Sequence, residues 1–140
     1  MNKQIDVGLL LLRLVLGFTF FIHGFDKFQG GISNIAGWFQ SIGLPGFAAY
    51  VVAIIELAGG LAIILGLGTR IVSVLFSLIM LGAIVKVKFS LGFLGNGQMA
   101  GYELDVALLF ISICLALTGK TLYSIDNRIF RSKSDNTRSV

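Results

Sequence analysis

The chain has 140 residues, of which 56% are hydrophobic and only 13% charged, and its mean hydropathy is +0.91. A soluble domain of this size needs more polar surface than that, so composition points to a single integral membrane domain. The net charge of +4 does not signal a nucleic acid partner, because five of the eleven cations fall in the last 21 residues, beside an apolar segment, a placement that suits a membrane surface.

The first expected span is residues 7–25. It carries Arg13 in its first half and His23 near its end, with Lys27 just beyond. A charged residue at the centre of a membrane helix costs about 2.5–3.5 kcal/mol on insertion scales, so partners for these groups are expected on the other helices. Lys3 and the apolar run after it have the outline of a signal peptide, but Arg13 interrupts the run and no A-x-A site follows. The segment reads as a mature helix.

Between Asp26 and Pro45, the residues Ile32, Ile35, Trp38, Phe39 and Ile42 recur at three- and four-residue spacing. This predicts a short interfacial helix, with Ser33 or Asn34 as its cap. The second expected span is 47–67, with Glu56 near its middle, and a tight turn at 66–69 leads to Arg70. The third is 71–87, closing on Lys86 and Lys88, whose long stems reach toward the interface. A Gly-rich stretch follows at 89–101, and then a fourth span at 102–117 that opens with Glu103 and Asp105. The expected fold is an all-α membrane protein: a four-transmembrane-helix bundle over 1–119, with a basic cytoplasmic tail over 120–140.

The positive residues set the expected topology. With the N-terminus inside, Lys3, Arg13, Arg70 and the five tail cations lie on or nearest the cytoplasmic side, against Lys27, Lys86 and Lys88 outside. That favours both termini in the cytoplasm of a plasma membrane. On the same scheme Arg13 lies about 9 Å and Glu56 about 16 Å from the cytoplasmic ends of their spans. A guanidinium bridges such a gap, and Gly17, Gly59 and Gly60 allow close approach, so an Arg13–Glu56 ion pair is expected, structural or part of a proton path. His23, Lys27, Lys86, Glu103 and Asp105 share the outer level. They are expected to line a water-filled pocket under the Gly-rich loop, with His23 able to pass protons. The rival readings are plainer: lysines that only snorkel, and a Glu103 that only begins a helix.

Cys114 and His23 are the only residues of their types, which excludes an internal disulfide, CxxC chemistry and a bis-His haem within one chain. No metal is expected. The run GFLGNGQ lacks the G-x-G-x-x-G order and follows no strand, so it is no nucleotide fingerprint.

R-L-V-L-G-F-T-F-F-I-H-G-F-D-K-F (Arg13 to Phe28), E-L-A-G-G-L-A-I-I-L-G-L-G-T-R (Glu56 to Arg70), K-V-K (Lys86 to Lys88) and G-Y-E-L-D (Gly101 to Asp105) together resemble the DoxX family of small four-helix membrane proteins. The resemblance covers about residues 7–119. Its N-G-Q-x-x-G-Y-E-L-D ending is similar to the branch called oxidoreductases and associated with catechols and quinones. What this implies is a membrane component of a redox system, in catechol or quinone detoxification or the response to oxidative stress. Electron chemistry then uses a bound membrane quinone, held near Lys86 and the outer cluster, or belongs to a partner. The expected partners are the lipid bilayer and a soluble redox enzyme or a second copy of the chain. Two other functions fit the residues: a small proton-coupled transporter that uses Glu56 as its membrane carboxylate, and a non-catalytic anchor for a soluble enzyme.

Overall fold

The computed structural model describes residues 2–119 and 121–136, and every extended element among them is helical. In order they are α1 (Lys3–Gln29), α2 (Ile32–Ser41), α3 (Gly46–Leu65), α4 (Thr69–Ala83), α5 (Glu103–Thr118) and α6 (Ile125–Asn136). A π turn, Ile84–Lys88, and a short 3-10 turn, Phe89–Leu91, prolong α4.

Local chemistry sets most of the boundaries. The Asn2 side chain accepts from the Gln4 amide and starts α1, with Asp6 in the first turn and Lys27 in the last to suit the helix dipole. α1 is therefore longer than the expected span at both ends. Pro45 precedes α3, and Gly66, with φ 71°, ends it in the left-handed conformation that a side chain resists. α2 forms where the amphipathic spacing predicts it, but neither expected cap operates. The helix begins after Gly31, no side chain caps it, and Ser33 and Asn34 lie within it.

Lys3–Gln29, Gly46–Leu65 and the continuous helical stretch Thr69–Leu91 are each long and apolar enough to cross a membrane. α5, at 16 residues, is shorter. Their outer faces carry Leu11, Phe18, Ile22, Ile54, Ile71, Leu78 and Phe110, all exposed. An apolar surface that continuous needs lipid around it. The inner faces supply a compact core of Leu16, Phe20, Ile63, Phe76, Leu108 and Leu115, in which the rings of Phe20 and Phe76 stack with centroids 3.7 Å apart.

The bundle is two antiparallel helix pairs. α1 runs along α3, and α4 along α5; α3 against α4 and α1 against α5 join the pairs, while α2 rests on α3. Small residues let α1 and α3 touch at the backbone. A Cβ added to Gly24 would lie 2.4 Å from the Leu57 nitrogen, and one on Gly60 2.4 Å from the Phe21 nitrogen. α6 falls within the expected basic tail, for which no helix was expected, and Lys120 and residues 137–140 of that tail lie outside the described residues.

Gly24→Ala is expected to lower the thermal unfolding midpoint in detergent, because an overpacked contact costs about 1–3 kcal/mol. Gly8→Ala, where nothing lies within 4 Å of the added carbon, leaves it unchanged or raises it. Equal shifts in the two variants would contradict the backbone contact.

Candidate functional site

Between the two helix pairs lies a cavity of about 520 Å³. Phe20, Val52, Ile79, Met80 and Leu108 build its apolar walls, and Trp38 and Phe39 of α2 close one side. Set into these walls are His23 and Lys27 from α1, Glu56 from α3, Lys86 and Lys88 from the π turn, and Asp105 from α5. Glu56 and Asp105 are buried, and His23 and Lys86 are exposed. A cavity of this size, apolar with a few polar groups in its walls, has the make-up of a small-molecule site.

The charges pair within each helix pair. Lys27 Nζ donates to Glu56 Oε2 at 2.6 Å, joining α1 to α3, and Lys88 Nζ donates to Asp105 Oδ2 at 2.6 Å, joining the end of α4 to the start of α5. Short charge-assisted contacts of this kind suit carboxylates held away from water. His23 stands one turn before Lys27 and shares the cavity wall with it.

The geometry thus brings together four of the five residues expected at the outer level: His23, Lys27, Lys86 and Asp105. Glu103 is the exception. It starts α5, does not line the cavity and is exposed. The Gly-rich loop does not cover the site either. Gly101 is buried against the Phe93 carbonyl, Asn96 Oδ1 accepts from the Gln98 and Met99 amides at 3.1 and 2.8 Å, and no residue from 89 to 103 lines the cavity.

Lys88 was expected to reach toward the interface without an assigned partner, and Glu56 to pair with Arg13. Residues two apart on an α-helix do not face the same way, but the π turn and long stems bring both Lys86 and Lys88 to the cavity. The signal for Lys88 was available: consecutive helices joined by a loop run antiparallel, so the last cation of one lies beside the first carboxylates of the next.

The expected Arg13–Glu56 pair does not form. Arg13 is 2% exposed and its guanidinium turns to the chain after α5. Nη1 donates to Thr121 Oγ1 at 2.5 Å and to the Leu122 carbonyl at 3.0 Å, and Nη2 donates to the Tyr123 carbonyl at 3.1 Å. The reason is register. Arg13 lies level with Gly66, where a Cβ would sit 2.8 Å from Nη1, so Glu56 is some ten residues, about 15 Å, further along α3. Around Arg13 the chain is locked down. Tyr123 is held at φ 50°, and Asp126 accepts from the Gly68 and Thr69 amides at 2.9 and 3.2 Å, capping α4 from a distance.

Two measurements check these assignments. Lys27→Met strands the buried Glu56 carboxylate and is expected to cost about 3–5 kcal/mol, most of it recovered by the double variant Lys27→Met, Glu56→Leu. Additive losses in that cycle would mean the contact carries no energy. Arg13→Gln removes charge-assisted bonds worth about 2 kcal/mol or more, so amide hydrogen exchange over 121–127 rises roughly thirtyfold while the midpoint of α3 stays protected.

Comparison with known proteins places the chain among relatives. It is 48% identical over its full length, and over the whole of the relative, to the Bacillus subtilis protein named "Putative oxidoreductase CatD". It is 32% identical over 129 residues to the Escherichia coli inner membrane protein YqjF, covering 90% of this chain and 95% of that one. The Mycobacterium tuberculosis uncharacterized membrane protein Rv3486 is 31% identical over 132 residues, covering 87% of this chain and 81% of that protein. No solved structure matches it. The model of the DoxX family matches residues 8–89, and with these full-length relatives it shows that the chain belongs to the DoxX family.

Proposed function

We infer that the chain is the quinone-binding membrane component of a redox system, in which the cavity between the helix pairs receives a quinone or catechol ring. The observation that carries this reading is the cavity itself. It is an apolar chamber of about 520 Å³ whose polar groups, His23, Lys27, Glu56, Lys86, Lys88 and Asp105, are set around a space of ring size. The name of the Bacillus subtilis relative, an oxidoreductase, supports the class of reaction.

In this reading α5 is the fourth span, and α2, whose cavity-lining Trp38 is also partly exposed, lies in the membrane interface. Both termini are cytoplasmic in a plasma membrane, so the Arg13 end faces inward and the cavity faces outward. Reduction of a quinone to a hydroquinone takes two electrons and two protons. A redox partner, or a donor quinol, supplies the electrons. Lys27 or His23 donates a hydrogen bond to one ring oxygen, and Asp105, buried in the cavity wall, passes protons. Glu103 is left with the role of starting α5. Catechol and quinone detoxification, or the response to oxidative stress, is the physiological setting that this chemistry suits.

Purified chain is expected to retain ubiquinone or menaquinone analogues on ultrafiltration, and Lys27→Met and Asp105→Asn to weaken that retention about tenfold, the value of one good hydrogen bond to a charged group. Membranes enriched in the chain are expected to reduce added quinone faster. The reading is wrong if the chain retains no analogue and its presence leaves quinone reduction unchanged.

A further inference from the structure

The charges on the cavity wall do not balance. Three ammonium groups, Lys27, Lys86 and Lys88, face two carboxylates, Glu56 and Asp105. Each carboxylate is already engaged at 2.6 Å by one lysine, Lys27 or Lys88. Lys86 makes no hydrogen bond and no ion pair among the described residues, yet its side chain borders the same apolar chamber. Its neighbour on the wall, His23, is likewise a donor when protonated and is never an anion.

We propose that the cavity takes a planar aromatic ligand bearing one negative charge, a carboxylate or a phenolate, and that Lys86 holds the anion. This rests on the reading of the cavity as a ring site and adds the charge of the ring. A neutral ring fills the apolar volume but leaves the third ammonium beside apolar walls without a counter-charge. An anionic ring supplies that charge, and its charge-assisted bond to the exposed Lys86 adds to the apolar burial of the ring. The two existing ion pairs sharpen the preference. With Glu56 and Asp105 neutralised by their own lysines, no free carboxylate remains on the wall to repel an anion. A cationic ring finds the opposite, three ammonium groups and only carboxylates already paired with lysines. The π turn is what commits Lys86 to this place, since it turns the end of α4 so that Lys86 and Lys88 both reach the cavity, one engaged and one available.

Trp38 provides the readout. It is the only tryptophan in the chain and it stands on the cavity wall, so a quinone bound there quenches its fluorescence. The experiment titrates the full chain, in nanodiscs of zwitterionic lipid, with anthraquinone-2-carboxylate and with its neutral analogue anthraquinone-2-carboxamide. The carboxylate is expected to bind about tenfold more tightly, as one added charge-assisted bond implies. Lys86→Gln is expected to bring the two affinities together by weakening the carboxylate alone, whereas Lys3→Gln, on the N-terminal turn of α1, leaves the ratio unchanged. Equal affinities in the unaltered chain, or a ratio that survives Lys86→Gln, would overturn the proposal while leaving a ring site in place. Failure of both probes to quench Trp38 would remove the ring site itself, and the proposal with it.

Discussion

At Gly24 and Gly60 the backbones of α1 and α3 come into contact, so closely that a methyl group on either would lie 2.4 Å from a main-chain nitrogen opposite. In a bilayer, lipid tails are as apolar as leucine, and helices gain little by burying greasy side chains against one another. Close packing and polar contacts must therefore decide how two helices meet. The glycine contacts set the sliding position of α1 on α3, and the partners of Arg13 and Lys27 follow from it. Lys27 arrives at Glu56, and Arg13 overshoots the end of α3 and meets the turn at Gly66.

The two ends of the bundle consequently do different work. At the Arg13 end, one guanidinium satisfies three acceptors on residues 121–123, and Asp126 caps α4, so the chain after α5 is folded back onto the helix ends. This end is closed by those bonds, although Arg13 Nε and Thr69 Oγ1 stay buried without a partner. At the other end each helix pair is tied by its own lysine–carboxylate bond, and no ion pair crosses between the pairs among the described residues. The space between them stays open as the cavity. Ion pairs across the gap would have filled it; ion pairs within each half leave it free for a ligand and surround it with donors.

Much of this was legible in the residues. Hydropathy marked the helices, amphipathic spacing marked α2, and the positions of His23, Lys27, Lys86 and Asp105 near the same membrane face marked the cluster. The misread partners have a common cause. Depths counted from span ends assume that all helices begin in one plane, whereas α1 starts at Lys3 and runs well past the end of α3. That shift alone is enough to exchange Arg13 for Lys27 as the partner of Glu56. The Gly-rich loop misled for a different reason. Glycines suggested a flexible lid, but here they let the backbone pack tightly, with Gly101 buried under the Phe93 carbonyl and Asn96 bracing the turn.

Sequence by itself determined that this is an apolar helical chain whose few ionisable residues must be partnered, because the cost of burying a lone charge is a property of the residue and its solvent. It also determined membership of the DoxX family, since that rests on the residues alone. Only the tertiary structure decided which charge meets which, because pairing depends on the register of helices and on the π turn, and register is set by contacts of glycines with a facing backbone far away in the chain. For the same reason only the structure left Lys86 without a partner beside a ring-sized cavity.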